Sequence, residues 1–179
     1  MRILIADDEI VSRKKLVKIM DTFGQCMVAE NGTDALQAAT SQNPPDLILL
    51  DIIMPGMDGY EVCKRLKANR KTSNIPVIFI SIKSEKDDEA KGLGLGAVDY
   101  ITKPFSPSIV EARIRTHLEL KKYRDGLEEL VNERTVELQK ATQEMQAEIA
   151  ERKRAEEALE AEKVKLKEYF ENLPLLACI

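Results

Sequence analysis

Five short apolar runs punctuate the first part of this chain: RILIA at 2–6, QCMVA at 25–29, DLILL at 46–50, PVIFI at 76–80 and VDYIT at 98–102. Between them lie stretches with helical spacing, such as Ile10, Leu16, Val17, Ile19 and Met20, or Tyr60, Val62, Cys63 and Leu66. Strands of about five residues alternating with helices imply βαβ units, whose right-handed crossovers build a parallel sheet. The runs are apolar throughout rather than alternating, which predicts strands covered on both faces. The expected fold is therefore α/β, a doubly wound five-stranded parallel sheet over residues 1–120.

After Leu118 the composition changes to LEELVNERTVELQKATQEMQAEIAERKRAEEALEAEKVKLKEYF, dominated by charged residues, Ala, Leu, Gln and Met. That is the profile of a long helix or coiled coil. A seven-residue stripe runs through Val131, Leu138, Met145, Arg152, Leu159 and Leu166, with a weaker partner row of Arg134, Ala141, Glu148, Ala155, Glu162 and Tyr169. Such a helix has no core of its own, so a coiled-coil homodimer through residues 121–170 is expected, against the alternative of a solvated single helix with i,i+4 ion pairs. Polar residues in the seam cost stability but fix register or permit a switch. Gly126 is the weak point near its start, costing about 1 kcal/mol relative to Ala. Pro174 breaks the pattern, and the closing apolar run reads as the start of a truncated downstream domain over 171–179.

The chain has 179 residues and a net charge of −4, so one core plus an appendage is the expected inventory, without the clustered basic face of a nucleic-acid binder. Three cysteines, Cys26, Cys63 and Cys178, have no metal-ligand spacing and suit a reducing compartment. Asp7 interrupts the first apolar run too early for a signal peptide, and no stretch is long enough to span a membrane. A cytoplasmic protein is expected.

In an open parallel sheet, ligands sit beyond the carboxyl ends of the strands. Here those ends bring Asp7 and Asp8, Asp51, Ser81 and Lys103 to one edge. Three carboxylates held together repel and call for a cation or raised pKa values. Oxygen ligands without His or Cys select Mg²⁺ or Mn²⁺. The cation, Lys103 and Ser81 all suit phosphoryl oxygens, and a carboxylate can accept a phosphoryl group.

ADDE at 6–9, LLDIIMPGMDGYE at 49–61, IFISIKS at 78–84 and GAVDYITKPF at 96–105 together resemble the four motif regions of bacterial response-regulator receiver domains. The resemblance implies a flavodoxin-like sheet of order 2-1-3-4-5, with Asp51 as phosphoacceptor and a sensor histidine kinase or phosphotransfer protein as donor. It further implies that Asp8 ligates Mg²⁺ directly and Asp7 mostly through water, with Asp51 and the backbone carbonyl of Ile53 completing the protein ligands. By the same resemblance Lys103 contacts the phosphoryl group and precedes a cis peptide to Pro104, and Ser81 and Tyr100 form the switch pair. One position departs: the residue after the switch hydroxyl is usually small, and here Ile82 is expected to narrow access. Lys83 and Ile53 flank the pocket and are candidates for tuning phosphoryl lifetime. LVNERTVEL and EIAERKRAEEAL resemble signalling helices, and FENLP resembles the opening of a PAS domain.

The reading is a phosphorylation-operated switch that drives a parallel coiled-coil transmitter toward an output domain outside these residues. Self-phosphorylation and autodephosphorylation at Asp51 would be its only chemistry. Two rivals stand beside it. A metal-dependent phosphatase with an aspartyl nucleophile would want an acid two residues after Asp51, where Ile53 stands; a degenerate receiver would serve only as a dimerisation scaffold. GLGLG at 92–96 follows a helical stretch and precedes a strand, the wrong order for a dinucleotide fingerprint, so it reads as a helix ending on glycine. His117, with no kinase phosphoacceptor context, reads as a surface or packing residue.

Overall fold

The computed structural model describes residues 1–20, 23–82 and 86–171. Strands β1 (Arg2–Ala6), β2 (Gln25–Ala29), β3 (Leu47–Asp51), β4 (Val77–Ser81) and β5 (Asp99–Thr102) alternate with helices α1 (Ile10–Met20), α2 (Gly32–Ala39), α3 (Gly59–Ala68), α4 (Lys86–Gly94) and α5 (Pro107–Glu171). All pairings are parallel and the strand order is β2-β1-β3-β4-β5. This is the doubly wound sheet that the five apolar runs predict.

Successive side chains of a strand point to opposite faces, and the core divides accordingly. Ile3, Ile5, Leu47, Leu49, Ile78 and Ile80 pack with Leu16, Ile19 and Met20 of α1 and with Val110, Ile114 and Leu118 of α5. Leu4, Ala6, Ile48, Leu50, Val77 and Phe79 pack instead with Ala35 and Ala39 of α2 and with Tyr60, Val62, Cys63 and Leu66 of α3. β3 and β4 are buried along their whole length, as strands covered on both faces should be. β2 departs from that expectation: it is an edge strand, and Gln25 and Val28 are exposed. Ile10 also departs, lying exposed at the start of α1 rather than on its buried face.

The helices begin where side chains can serve the unpaired amides of a first turn. Asn31 accepts from the Asp34 amide ahead of α2, and Asp58 accepts from the Glu61 amide ahead of α3. α4 ends within the glycine-rich stretch, and Gly96 just beyond it takes φ +94, as a glycine-terminated helix requires.

The chain divides into two compact units, Met1–Asp125 and the remainder from Gly126. In the second, residues 126–171 are helical with their side chains exposed, and α5 runs through Gly126 without interruption. No helix among the described residues is long and apolar enough to cross a membrane. Lys83, Cys178, the FENLP match beyond Glu171 and the segment 172–179 lie outside the described residues.

Candidate functional site

β1, β3, β4 and β5 end at one edge of the sheet, and their register brings their last residues level: Ala6 pairs with Leu50, Asp51 with Ile80, and Ser81 with Thr102. At these ends stand the polar residues that the sequence marks: Asp51 and Ser81 close β3 and β4, and Asp7 and Lys103 follow β1 and β5 by one residue. Lys103 extends its ammonium between two carboxylates, with Nζ 2.8 Å from Asp7 Oδ2 and 2.6 Å from Asp51 Oδ2. One carboxylate oxygen from each of Asp7, Asp8 and Asp51 lies within 4.8 Å of the others. Asp7 and Asp51 are buried, and Asp8 is exposed at the mouth.

Burial holds the Asp51 carboxyl above its ordinary value, more than the neighbouring Lys103 ammonium can offset. For Lys103 itself, burial pulls downward, but its bonds to Asp51 and Asp7 prevail and hold the ammonium above its usual range. The pair is therefore a charged lysine opposing a crowded acid site. Asp51 Oδ1 also accepts from the Ile53 amide at 3.2 Å, which fixes the carboxylate against the turn that follows.

That turn is held tightly. The Gly59 amide donates to Ile52 O at 2.9 Å, and a Cβ at Gly59 would stand 2.1 Å from the carbonyl oxygen of Asp51. Only glycine allows the first residue of α3 to pass so close to the end of β3. The Lys103–Pro104 peptide is cis, in agreement with the resemblance.

Ser81 and Tyr100 are both buried, and burial pushes the Tyr100 phenol up, with the Ser81 hydroxyl acting against it. The Tyr100 ring tilts against Phe79 at 6.3 Å between centroids. Ile53 and Ile82 are 47% and 68% exposed, so both present apolar surface at the rim. His117 pairs with Asp99 at 3.0 Å, a packing contact between α5 and β5.

Several supporting residues escape sequence reasoning. Arg13, buried in α1, donates to the backbone oxygens of Asp7 and Asp8 at 2.7 and 2.9 Å and to Glu30 at 2.7 Å. Ser12 donates to Asp7 Oδ2 at 2.6 Å, and the Glu9 amide donates to Asp7 Oδ1 at 2.8 Å. Tyr60 links α3 to α4 through Asp88, with its hydroxyl 3.1 Å from the carboxylate. The only signal for Arg13 was a cation one helical turn past an acid pair, which many solvated helices share.

The model of the response regulator receiver domain family matches residues 3–115. The chain is 44% identical over 117 residues to the phosphate regulon transcriptional regulatory protein PhoB of Pseudomonas aeruginosa, covering 65% of this chain and 51% of that protein. It is 42% identical over 125 residues to a probable cyclic di-GMP phosphodiesterase of Vibrio cholerae, covering 70% of this chain and 28% of that protein. The chain thus spans about half or less of the length of these curated relatives. Among solved structures, the signal receiver domain of a signal transduction histidine kinase from Syntrophus aciditrophicus is similar at 35% identity and a TM-score of 0.60, covering 66% of this chain and 89% of that one. The BeF3-activated receiver domain of DrrB, a Thermotoga maritima protein, is similar at 31% identity and a TM-score of 0.60, covering 66% and 97%.

Proposed function

The chain belongs to the response regulator receiver domain family, the phosphorylation switches of two-component systems, and from that premise we propose that Asp51 is its phosphoacceptor. The observation that carries this reading is the Lys103 ammonium suspended between Asp7 and Asp51 at the carboxyl edge of the sheet. A carboxylate placed there is rigid, opposed by one fixed cation, and adjacent to an exposed acid.

Receiver domains generally bind Mg²⁺ at an acidic pocket, and the residues present here fit it. Three carboxylate oxygens within 4.8 Å, without nitrogen or sulfur donors, suit a hard divalent cation. Asp7 already accepts from Ser12, the Glu9 amide and Lys103, which favours contact through water. Asp8 and Asp51 are then the direct carboxylate ligands, with the Ile53 carbonyl as the backbone ligand. When bound, Mg²⁺ or Mn²⁺ supplies neutralisation of the phosphoryl oxygens and of the clustered acids.

In the transfer, an Asp51 carboxylate oxygen bonds to phosphorus as the bond to the donor breaks. With phosphohistidine of a sensor kinase or phosphotransfer protein as donor, the phosphorus–nitrogen bond breaks and the imidazole keeps the electron pair, then takes a proton. Lys103 turns from Asp51 to a phosphoryl oxygen, and the Ser81 hydroxyl donates to another. Catalysis of this kind rests on positioning and charge. The burial of Ser81 and Tyr100 on the neighbouring strands β4 and β5 supports their acting as a pair, so phosphorylation biases a two-state face there. Ile82, Ile53 and Lys83 set access and phosphoryl lifetime.

The receiver occupies 1–120, and residues 121–170 form a homodimeric coiled coil that carries the change to an output domain. The exposed seven-residue stripe of the second unit supports that assignment. Incubation with a small phosphodonor tests the reading: labelling should require Mg²⁺, cease with a chelator and be absent from Asp51→Asn. Labelling of Asp51→Asn equal to that of the parent would overturn it.

A further inference from the structure

The two acids that follow β1 are held in different ways. Asp7 is fixed through its side chain: Oδ1 accepts from the Glu9 amide at 2.8 Å, and Oδ2 accepts from Ser12 at 2.6 Å and from Lys103 at 2.8 Å. The Asp8 carboxylate is exposed at the mouth, so its place is set by its backbone. One side chain grips that backbone. Arg13, in the first turn of α1 and only 8% exposed, donates from Nη1 to the carbonyl oxygens of Asp7 and Asp8 at 2.7 and 2.9 Å. Its Nη2 donates to Glu30 at 2.7 Å. Resting on the cation reading above, we propose that Arg13 is a positioning residue for the divalent cation, holding the loop so that the Asp8 carboxylate is set at the metal site before the ion arrives.

The geometry explains how a side chain on α1 aims a carboxylate it does not touch. The carbonyl of Asp7 lies in the peptide plane before the Asp8 Cα, and that of Asp8 lies in the plane after it. Fixing both planes fixes φ and ψ of Asp8, and with them the direction of its Cα–Cβ bond. A guanidinium suits this task because Nη1 carries two N–H groups, one for each carbonyl, and the planar fork leaves Nη2 for Glu30. The Asp7 amide on Ala29 O at 3.2 Å and the Arg13 amide on Glu9 O at 3.0 Å tie the same loop to β2 and α1. Mg²⁺ demands near-ideal octahedral geometry, so a ligand already in place binds it more tightly than one that must be ordered.

Charge alone predicts the opposite effect. A guanidinium near a cation site repels the ion, and neutralising it should then tighten binding. The Glu30 carboxylate beside Arg13 opposes that charge, which leaves the fork on the two carbonyls as the larger effect.

The test uses the full chain and Mn²⁺ alone, with the free ion read by electron paramagnetic resonance after circular dichroism shows each variant folded. The parent should show a site that Asp8→Asn removes. Arg13→Lys keeps the charge but has no fork to serve both carbonyls and Glu30, so its Kd should rise severalfold. Arg13→Met should raise it by about tenfold or more. The Mg²⁺ concentration for half-maximal labelling by a small phosphodonor should rise by the same factors. Thr72→Val loses a buried hydrogen bond to Leu66 O at the opposite edge of the sheet, and it should bind Mn²⁺ like the parent, which separates placement from lost stability. If Arg13→Met fails to fold, Arg13→Lys decides alone. Either Arg13 variant binding Mn²⁺ as tightly as the parent, or a Kd raised equally in Thr72→Val, overturns the positioning role and leaves the cation reading intact. A parent with no site that Asp8→Asn removes overturns both.

Discussion

At the scale of single residues, the site is a balance between burial and one ammonium. Asp51 is held above its unfolded value of 3.8, so folding favours its protonated form. Stability from that preference is fully present below 3.8 and is lost as pH rises through the folded value. Asp51→Asn is neutral at every pH. In metal-free buffer its stability advantage over the parent should grow as pH rises from acid toward neutral, which urea unfolding across that range would measure; a gap that shrinks instead would contradict burial as the dominant cause. Arg13 gives a second prediction. Arg13→Ala strips donors from two backbone oxygens of the acid loop and should destabilise the first unit by about 2 kcal/mol, read by chemical denaturation. The acids, Ser81 and Lys103 were legible in the sequence because each follows an apolar run, and a parallel sheet collects those ends. Arg13, Ser12 and Tyr60 were not, because their roles depend on which helix face meets which loop, and one sequence does not state that.

At the scale of elements, the runs predicted the strands closely: RILIA is β1 without change, and PVIFI is β4 shifted by one residue. QCMVA was apolar enough to suggest a doubly covered strand, yet β2 lies at the edge with Val28 exposed. Strand order decides coverage, and order comes from packing rather than from the composition of one run. The β3–α3 junction shows how an element positions the chemistry. Its spacing depends on Gly59, where a Cβ would meet the Asp51 carbonyl oxygen and the Ile52 Cα at 2.1 and 2.9 Å. Gly59→Ala should cost about 1–3 kcal/mol and displace Asp51 from Lys103. Slower labelling by a small phosphodonor, together with lower thermal stability, is the expected outcome; unchanged labelling would mean that the junction does not position the acid. Asp58→Ala, which removes only the cap of α3, should cost about 1 kcal/mol and leave labelling near the parent level.

At the scale of the whole molecule, two kinds of sequence stand end to end. The first unit buries its apolar residues in two layers around a sheet. Among its described residues, the second has exposed apolar side chains at heptad spacing and none that is buried. The heptads were legible because a period of seven survives in composition, whereas the continuity of α5 through Gly126 needed the structure. Control of the whole chain from Asp51 is tested most directly by treating the full chain with a small phosphodonor and Mg²⁺, reducing with borohydride, and mapping the product by mass spectrometry. An acyl phosphate at Asp51 should be reduced to homoserine at position 51 alone, and the product should be absent when the donor or the metal is withheld. Homoserine at another aspartate, or a phosphoryl group recovered on a hydroxyl side chain with residue 51 unchanged, would contradict the account.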